Sequence, residues 1–148
     1  RKNPPKLELG SVIYSRRHGY LLCLQATCDA VRGDGSFFFI PLDETDGRPD
    51  IVVPHKKSSK KQSYIGLSIP AKCYTKSVSL KFDAIDKELA RVPVAYDEAK
   101  GTFHVKDQTK TVFRWLGNLK YKRALRVAQD VSQQMSRIGF DEFEPFKN

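Results

Sequence analysis

The sequence predicts an α+β domain, mainly antiparallel β, built as a small partly open barrel or strongly bent sheet with one long helix at the C-terminal end. Three observations predict it. Short apolar or alternating runs recur along most of the chain, separated by turn residues. The run Tyr20-Leu-Leu-Cys-Leu24 is continuously apolar, as in a strand covered on both faces and central in its sheet. Only near the end does the period become that of a helix, with Ala124, Ala128, Val131, Met135 and Ile138 at steps of four and three.

Residues 1–8 are polar and proline-bearing and read as a linker or arm, followed by a single β-rich domain over 9–148. Leu9-Gly-Ser-Val-Ile-Tyr14 is a short strand, and the polar turn Ser15-Arg-Arg-His-Gly19 leads into the apolar run from Tyr20, forming a hairpin. Arg32-Gly-Asp-Gly35 supplies residues able to take positive φ, so Ser36-Phe-Phe-Phe-Ile-Pro-Leu42 follows as the third strand of a meander. Ile51-Val-Val53 is a brief strand. Gln62-Ser-Tyr-Ile-Gly-Leu-Ser-Ile69 is another, closed by Pro70. In Ser77-Val-Ser-Leu-Lys-Phe82 the alternation places Val78, Leu80 and Phe82 on one face. Residues 83–89 suit a short helical turn or loop. Val92-Pro-Val-Ala-Tyr96 and Thr102-Phe-His-Val105 form a hairpin across Asp97-Glu-Ala-Lys-Gly101, with Pro93 assigning the first of these strands to an edge. Thr111-Val-Phe-Arg-Trp-Leu116 is read only as a segment in which Trp115 anchors a core or an interface. The helix is expected over about 119–138, its stripe packed on the sheet, with Arg137 in the last turn and Gly139 as a left-handed C-cap. The tail Phe140-Asp-Glu-Phe-Glu-Pro-Phe146 either tucks Phe140 and Phe143 into the core edge or docks on another chain.

With 148 residues, 40% of them hydrophobic, the chain can bury one core and is too short to expect two. It begins at Arg1, and its single methionine is Met135, so a piece of a longer protein is expected. No apolar run is long enough to span a bilayer, no signal-peptide pattern is present, and a soluble protein without membrane contact is expected. Cys23, Cys28 and Cys73 make an odd set without a C-x-x-C pair, which fits a reducing, cytoplasmic setting better than a disulfide framework. The three histidines are scattered without ligand spacing. No metal site and no cofactor are expected.

The chain carries 26 Lys and Arg against 17 Asp and Glu, a net charge of +9 that favours acidic partners. One cationic cluster holds Lys56, Lys57, Lys60 and Lys61 in a polar run suited to a solvated loop. Lys120, Lys122, Arg123 and Arg126 form a second at the start of the helix, where they either contact phosphates or keep that face wet. These eight residues are the candidate nucleic-acid contacts. A third constellation, Gln25, Cys28, Asp29 and Arg32, emerges where the central strand leaves the core. It is a candidate pocket, with local pairing of Asp29 and Arg32 as the alternative. No phosphate loop, nucleophile elbow, paired-carboxylate motif or dinucleotide fingerprint is present, so no catalytic residue is assigned.

The run from Tyr20 to Arg32, together with Trp115-Leu-Gly-Asn-Leu-Lys120 and Ser136-Arg-Ile-Gly-Phe-Asp-Glu-Phe-Glu144, resembles the C-terminal output region of bacterial proteins that carry an N-terminal receiver-like domain. The resemblance covers three stretches, well under half of the chain. That family carries a tryptophan near the position of Pro145, where this chain departs from it. The resemblance implies an intracellular signalling context, with phage defence as one setting. The expected function is a non-enzymatic output or interaction module whose partner is another protein or an upstream domain of the same chain. Binding of DNA or RNA through the basic surface is the first alternative, and a small-barrel nuclease is the second.

Overall fold

A computed structural model describes residues 5–24, 36–54, 63–83 and 92–142, with side chains described as far as Ser136. The strands are β1 (Ser11–Ser15), β2 (Gly19–Cys23), β3 (Ser36–Glu44), β4 (Ile51–Pro54), β5 (Tyr64–Ser68), β6 (Val78–Lys81), β7 (Ala95–Asp97), β8 (Thr102–Lys106) and β9 (Val112–Asn118). A 3-10 turn, Cys73–Lys76, precedes β6, and the helix α1 spans Tyr121–Glu142. The strands lie in the order β4-β5-β3-β2-β1-β9-β8-β7, all antiparallel, with β6 paired to β3 outside that path. The sheet curls into a half-barrel with α1 as its one long helix, the α+β architecture expected from the sequence.

β2 lies between β1 and β3, and the apolar run that marked it is covered on both faces as expected. Tyr20, Leu22 and Leu24 enter one core cluster with Val12, Ile40, Leu42, Leu67, Leu116 and Val131. Leu21 and Cys23 face the other way, into a second cluster with Ile13, Phe37, Phe39, Phe82, Val105 and Phe113. Alternation along each strand therefore feeds two cores, one on the side of α1 and one on the opposite side. Phe82 is the hub of the second, its ring centroid 5.7 Å from Phe37 and 6.2 Å from both Phe39 and Phe113.

β3 serves two partners along one edge. Residues 36–39 pair with β6, and Asp43 and Glu44 pair with β5. Leu24 donates its amide to the Phe38 carbonyl on the β2 side, while the Thr45 amide donates to Gly66 of β5. Successive residues alternate in direction, so Pro41 points its missing N–H at the β5 and β6 side, in the interval that neither strand fills.

The N-terminal segment is tied to the sheet from residue 5 onward. Leu7 donates its amide to Val92, Val94 donates to Pro5, and Leu7 is buried in the second core. Pro93 lies in this pairing, and β7 forms the edge of the sheet expected from that proline. The β7–β8 turn closes as its sequence predicts: the Asp97 carboxylate accepts the Ala99 and Lys100 amides, and Gly101 takes φ +65°. Between β8 and β9 the buried Asp107 carboxylate is satisfied by the Thr109 amide and hydroxyl and the Thr111 amide.

One segment is completed as a strand and one expectation is corrected. Residues 111–116, read as an anchor segment, belong mostly to β9, a central strand between β1 and β8. Its alternation is broken by a bulge: Val12 pairs with Gly117 and Ile13 with Trp115, so Leu116 is an extra residue that enters the first core. The helix does not end at Gly139 but runs to Glu142. Glycine inside a helix costs only about 1 kcal/mol, less than one favourable turn elsewhere can offset. The expected stripe packs through Ala124, Ala128 and Val131, joined by Val127, but Met135 is 42% exposed. The strand end at 25–32, the turn at 32–35, the loop at 84–89 and the tail from 143 lie outside the described residues.

Gly10 joins α1 to the barrel. Its φ is +95°, its amide donates to Cys23 and its carbonyl accepts the Leu119 amide. A Cβ there would stand 2.9 Å from the Leu119 carbonyl oxygen and 3.0 Å from the Ala124 Cβ. Gly10→Ala is therefore expected to lower unfolding stability by roughly 2–4 kcal/mol, combining left-handed strain with overpacking. Urea titration of the variant checks it, and an unchanged midpoint contradicts the close approach.

Candidate functional site

Strand register gathers one polar row that no single segment of sequence contains. Ala95, His104, Arg114, Tyr14, Tyr20 and Leu42 pair in succession across β7, β8, β9, β1, β2 and β3. Directly paired residues share a face, so these side chains stand on the side of the first core, which Tyr14, Tyr20 and Leu42 join. The row lies at the end of β1 away from Gly10 and the helix start.

Glu44, two residues beyond Leu42 on the same face, accepts a 3.1 Å hydrogen bond from the Tyr20 hydroxyl. The Tyr14 and Tyr20 rings meet at 4.6 Å. Burial, with the Glu44 bond and charge adding to it, pushes the Tyr20 phenol well above its usual value, against a smaller opposing effect of Arg114. Tyr20 is thus a fixed donor whose proton is already committed. His104 is shifted the other way, its imidazole held neutral chiefly by burial and only partly offset by Asp97. Its Nε2 stands 3.4 Å from Thr102 Oγ1. Beside this row a cleft of about 340 Å³ is bounded by Pro54 of β4, by Gly101, Thr102 and Phe103, and by Arg114, Trp115 and Leu116 of β9. Its size falls at the lower end of the roughly 300–1,000 Å³ typical of small-molecule sites.

Two groupings with nucleophilic side chains have structural explanations. Ser15 Oγ lies 3.2 Å from His18 Nδ1, but the same oxygen accepts the His18 amide and closes the β1–β2 turn, and Ser15 is buried. Cys23 and Cys73 are buried thiols outside any disulfide, and burial pushes the Cys73 thiol up, away from the reactive thiolate. No cluster of three or more His, Cys, Asp or Glu that could hold a metal occurs among the described residues. Trp115, marked as an anchor, packs on the second core with its Nε1 buried and lacking a hydrogen-bond partner.

Of the residues singled out in the sequence, Gln25, Cys28, Asp29 and Arg32 lie outside the described residues, as do Lys56, Lys57, Lys60 and Lys61. Lys120, Lys122, Arg123 and Arg126 are described and all four are exposed around the start of α1. Three of them fall within the first two turns of the helix, and no acidic residue occupies its first turn. Cations there oppose the helix macrodipole, so the first turn of α1 carries positive charge that no acidic residue of that turn offsets. Beyond Val131 every residue to Ser136 is exposed. Along its described side chains, α1 is packed as far as Val131 and exposed from Ser132 to Ser136. No described helix is long and apolar enough to cross a membrane.

Comparison with known proteins adds no relative: no family model, no curated protein and no solved structure matches this chain. The residues of this row were missed because they come from five strands, and only the shared facing of Tyr14, Tyr20, Glu44, His104 and Arg114 could have flagged them.

Proposed function

We propose that this domain is a non-enzymatic interaction module of a bacterial intracellular signalling protein, acting in the cytoplasm, and that α1 carries the contact with its partner. One observation supports this above the others: α1 is anchored through Ala124, Val127, Ala128 and Val131, then projects with Ser132 to Ser136 exposed. The five exposed residues Ser132 to Ser136 gain no stability from tertiary packing, so a second surface laid along them would supply stability that the domain itself does not. The signalling context rests on the resemblance of the three quoted segments to receiver-linked output regions. The test is the open reading frame containing this sequence: a receiver-like domain encoded ahead of Arg1 is the expected result, and an unrelated enzyme domain there would remove the signalling reading.

A second reading, nucleic-acid binding, is favoured by the four exposed cations at the helix start. If phosphates are the ligand, retention of single- or double-stranded DNA or RNA should fall steeply with salt, because each contact releases counterions. Changing Lys120, Lys122, Arg123 and Arg126 together to Gln should weaken retention further and flatten the salt slope by up to about 4 units for duplex DNA. Absence of retention at about 50 mM salt eliminates this reading.

A further inference from the structure

We infer that the cleft between β4 and the β8–β9 pair binds a small organic anion, its carboxylate or phosphate oxygens on Arg114 and the Thr102 hydroxyl and its apolar body against Pro54 and Leu116. The cleft holds about 340 Å³, and the described residues that line it include one cation and no carboxylate. A concave site of this size, with apolar walls and a few polar groups, is the usual form in which a protein holds a small ligand. The one charge in the lining sets the sign of that ligand. The net charge of +9 on the whole chain favours the approach of the same sign. No described residue of α1 lines the cleft, so this site is separate from the contact proposed for the helix.

Strand register puts the two polar groups together. Arg114 of β9 pairs directly with His104 of β8, and Thr102 lies two residues before His104, so all three share the first-core side of the sheet. Phe103 pairs with Trp115, and their rings meet at 5.5 Å on the opposite side, where Trp115 packs on the second core. The side chains on the cleft's own face are therefore Thr102, Arg114 and the first-core residue Leu116, with Pro54 of β4 as the further wall. Two carboxylates stand on the same side, and neither lines the cleft. Asp97 accepts the Ala99 and Lys100 amides, and Glu44 accepts the Tyr20 hydroxyl. A guanidinium has five N–H donors in a planar fork, so Arg114 can keep its neighbours in the sheet and still present donors to an oxyanion. Because Thr102 and Arg114 sit on paired strands, their spacing is fixed before a ligand arrives.

The test is a titration of the full wild-type chain with benzoate and with phenyl phosphate, followed through the backbone amide signals of Gly101, Thr102, Arg114, Trp115 and Leu116 in nitrogen–proton correlation spectra. Saturable shifts centred on these residues are expected with one anion or both, and the one that saturates separates a carboxylate ligand from a phosphate ligand. Benzylamine and inorganic phosphate are the controls. Each should bind at least about tenfold more weakly, the first because its charge is reversed and the second because it has no apolar body. Arg114→Gln, checked for folding by circular dichroism, should weaken anion binding at least about tenfold, and Thr102→Val should weaken it about threefold or more. If Arg114→Gln does not fold, Thr102→Val and the wild-type comparison of benzoate with benzylamine still decide. No saturable shift with either anion at about 10 mM, equal affinity for benzylamine, or full affinity in a folded Arg114→Gln variant overturns the site. Inorganic phosphate bound as tightly as phenyl phosphate overturns the ligand class, since the apolar wall then contributes nothing.

Discussion

Val131→Asp is expected to abolish cooperative folding of the domain. Val131 is 4% exposed and belongs to the same cluster as Val12, Leu22, Ile40 and Leu116, so its methyls are the contact through which α1 closes one face of the sheet. A carboxylate placed there either remains charged without a partner or takes up a proton, and either way it costs several kcal/mol beyond the lost apolar contact. Domains of this size are stable by only about 5–15 kcal/mol, so the loss consumes most or all of the margin. Thermal melting by circular dichroism checks it. A variant that melts with the parent would mean that the helix stripe is not packed on the barrel, and would transfer Ala124 and Val131 to the exposed surface.

Phe82→Ala is expected to cost about 3–5 kcal/mol, the usual range for truncating a fully buried aromatic. Phe82 is 1% exposed and its ring touches three others, from β3 on one side and β9 on the other. The cavity would open in the second core while the first stays filled. Guanidinium denaturation should therefore report a lower midpoint with the helical signal intact before the transition. A loss below about 1 kcal/mol would show that the phenyl group collapses onto no shared core.

The strands with one clear period were legible in the sequence. Tyr20 to Leu24 announced a central strand because no polar residue interrupts it, and Val78, Leu80 and Phe82 announced a half-covered one by strict alternation. β9 was hidden by two departures from that rule. Val112, at its start, is 50% exposed, and the extra residue Leu116 shifts the phase of the alternation within the strand itself. The helix was legible in kind but not in extent, since sequence periodicity shows which side is apolar and not how far packing continues along it; Met135 keeps the period and is 42% exposed. The cations at the start of α1 could be read as a cluster because they are neighbours in sequence. The polar row could not, because His104, Arg114, Tyr14 and Tyr20 become neighbours only through strand register.

Pro41 gives β3 a fixed point along its length. A strand sliding past it from either end would have to set a carbonyl against a position that offers no amide, and a slip of one residue would also turn its core-facing side chains outward. β5 and β6 therefore cannot trade places or merge into one longer strand along that edge. A single imino acid keeps two alternative pairings from competing while the chain assembles, and it does so by withholding a bond rather than by making one.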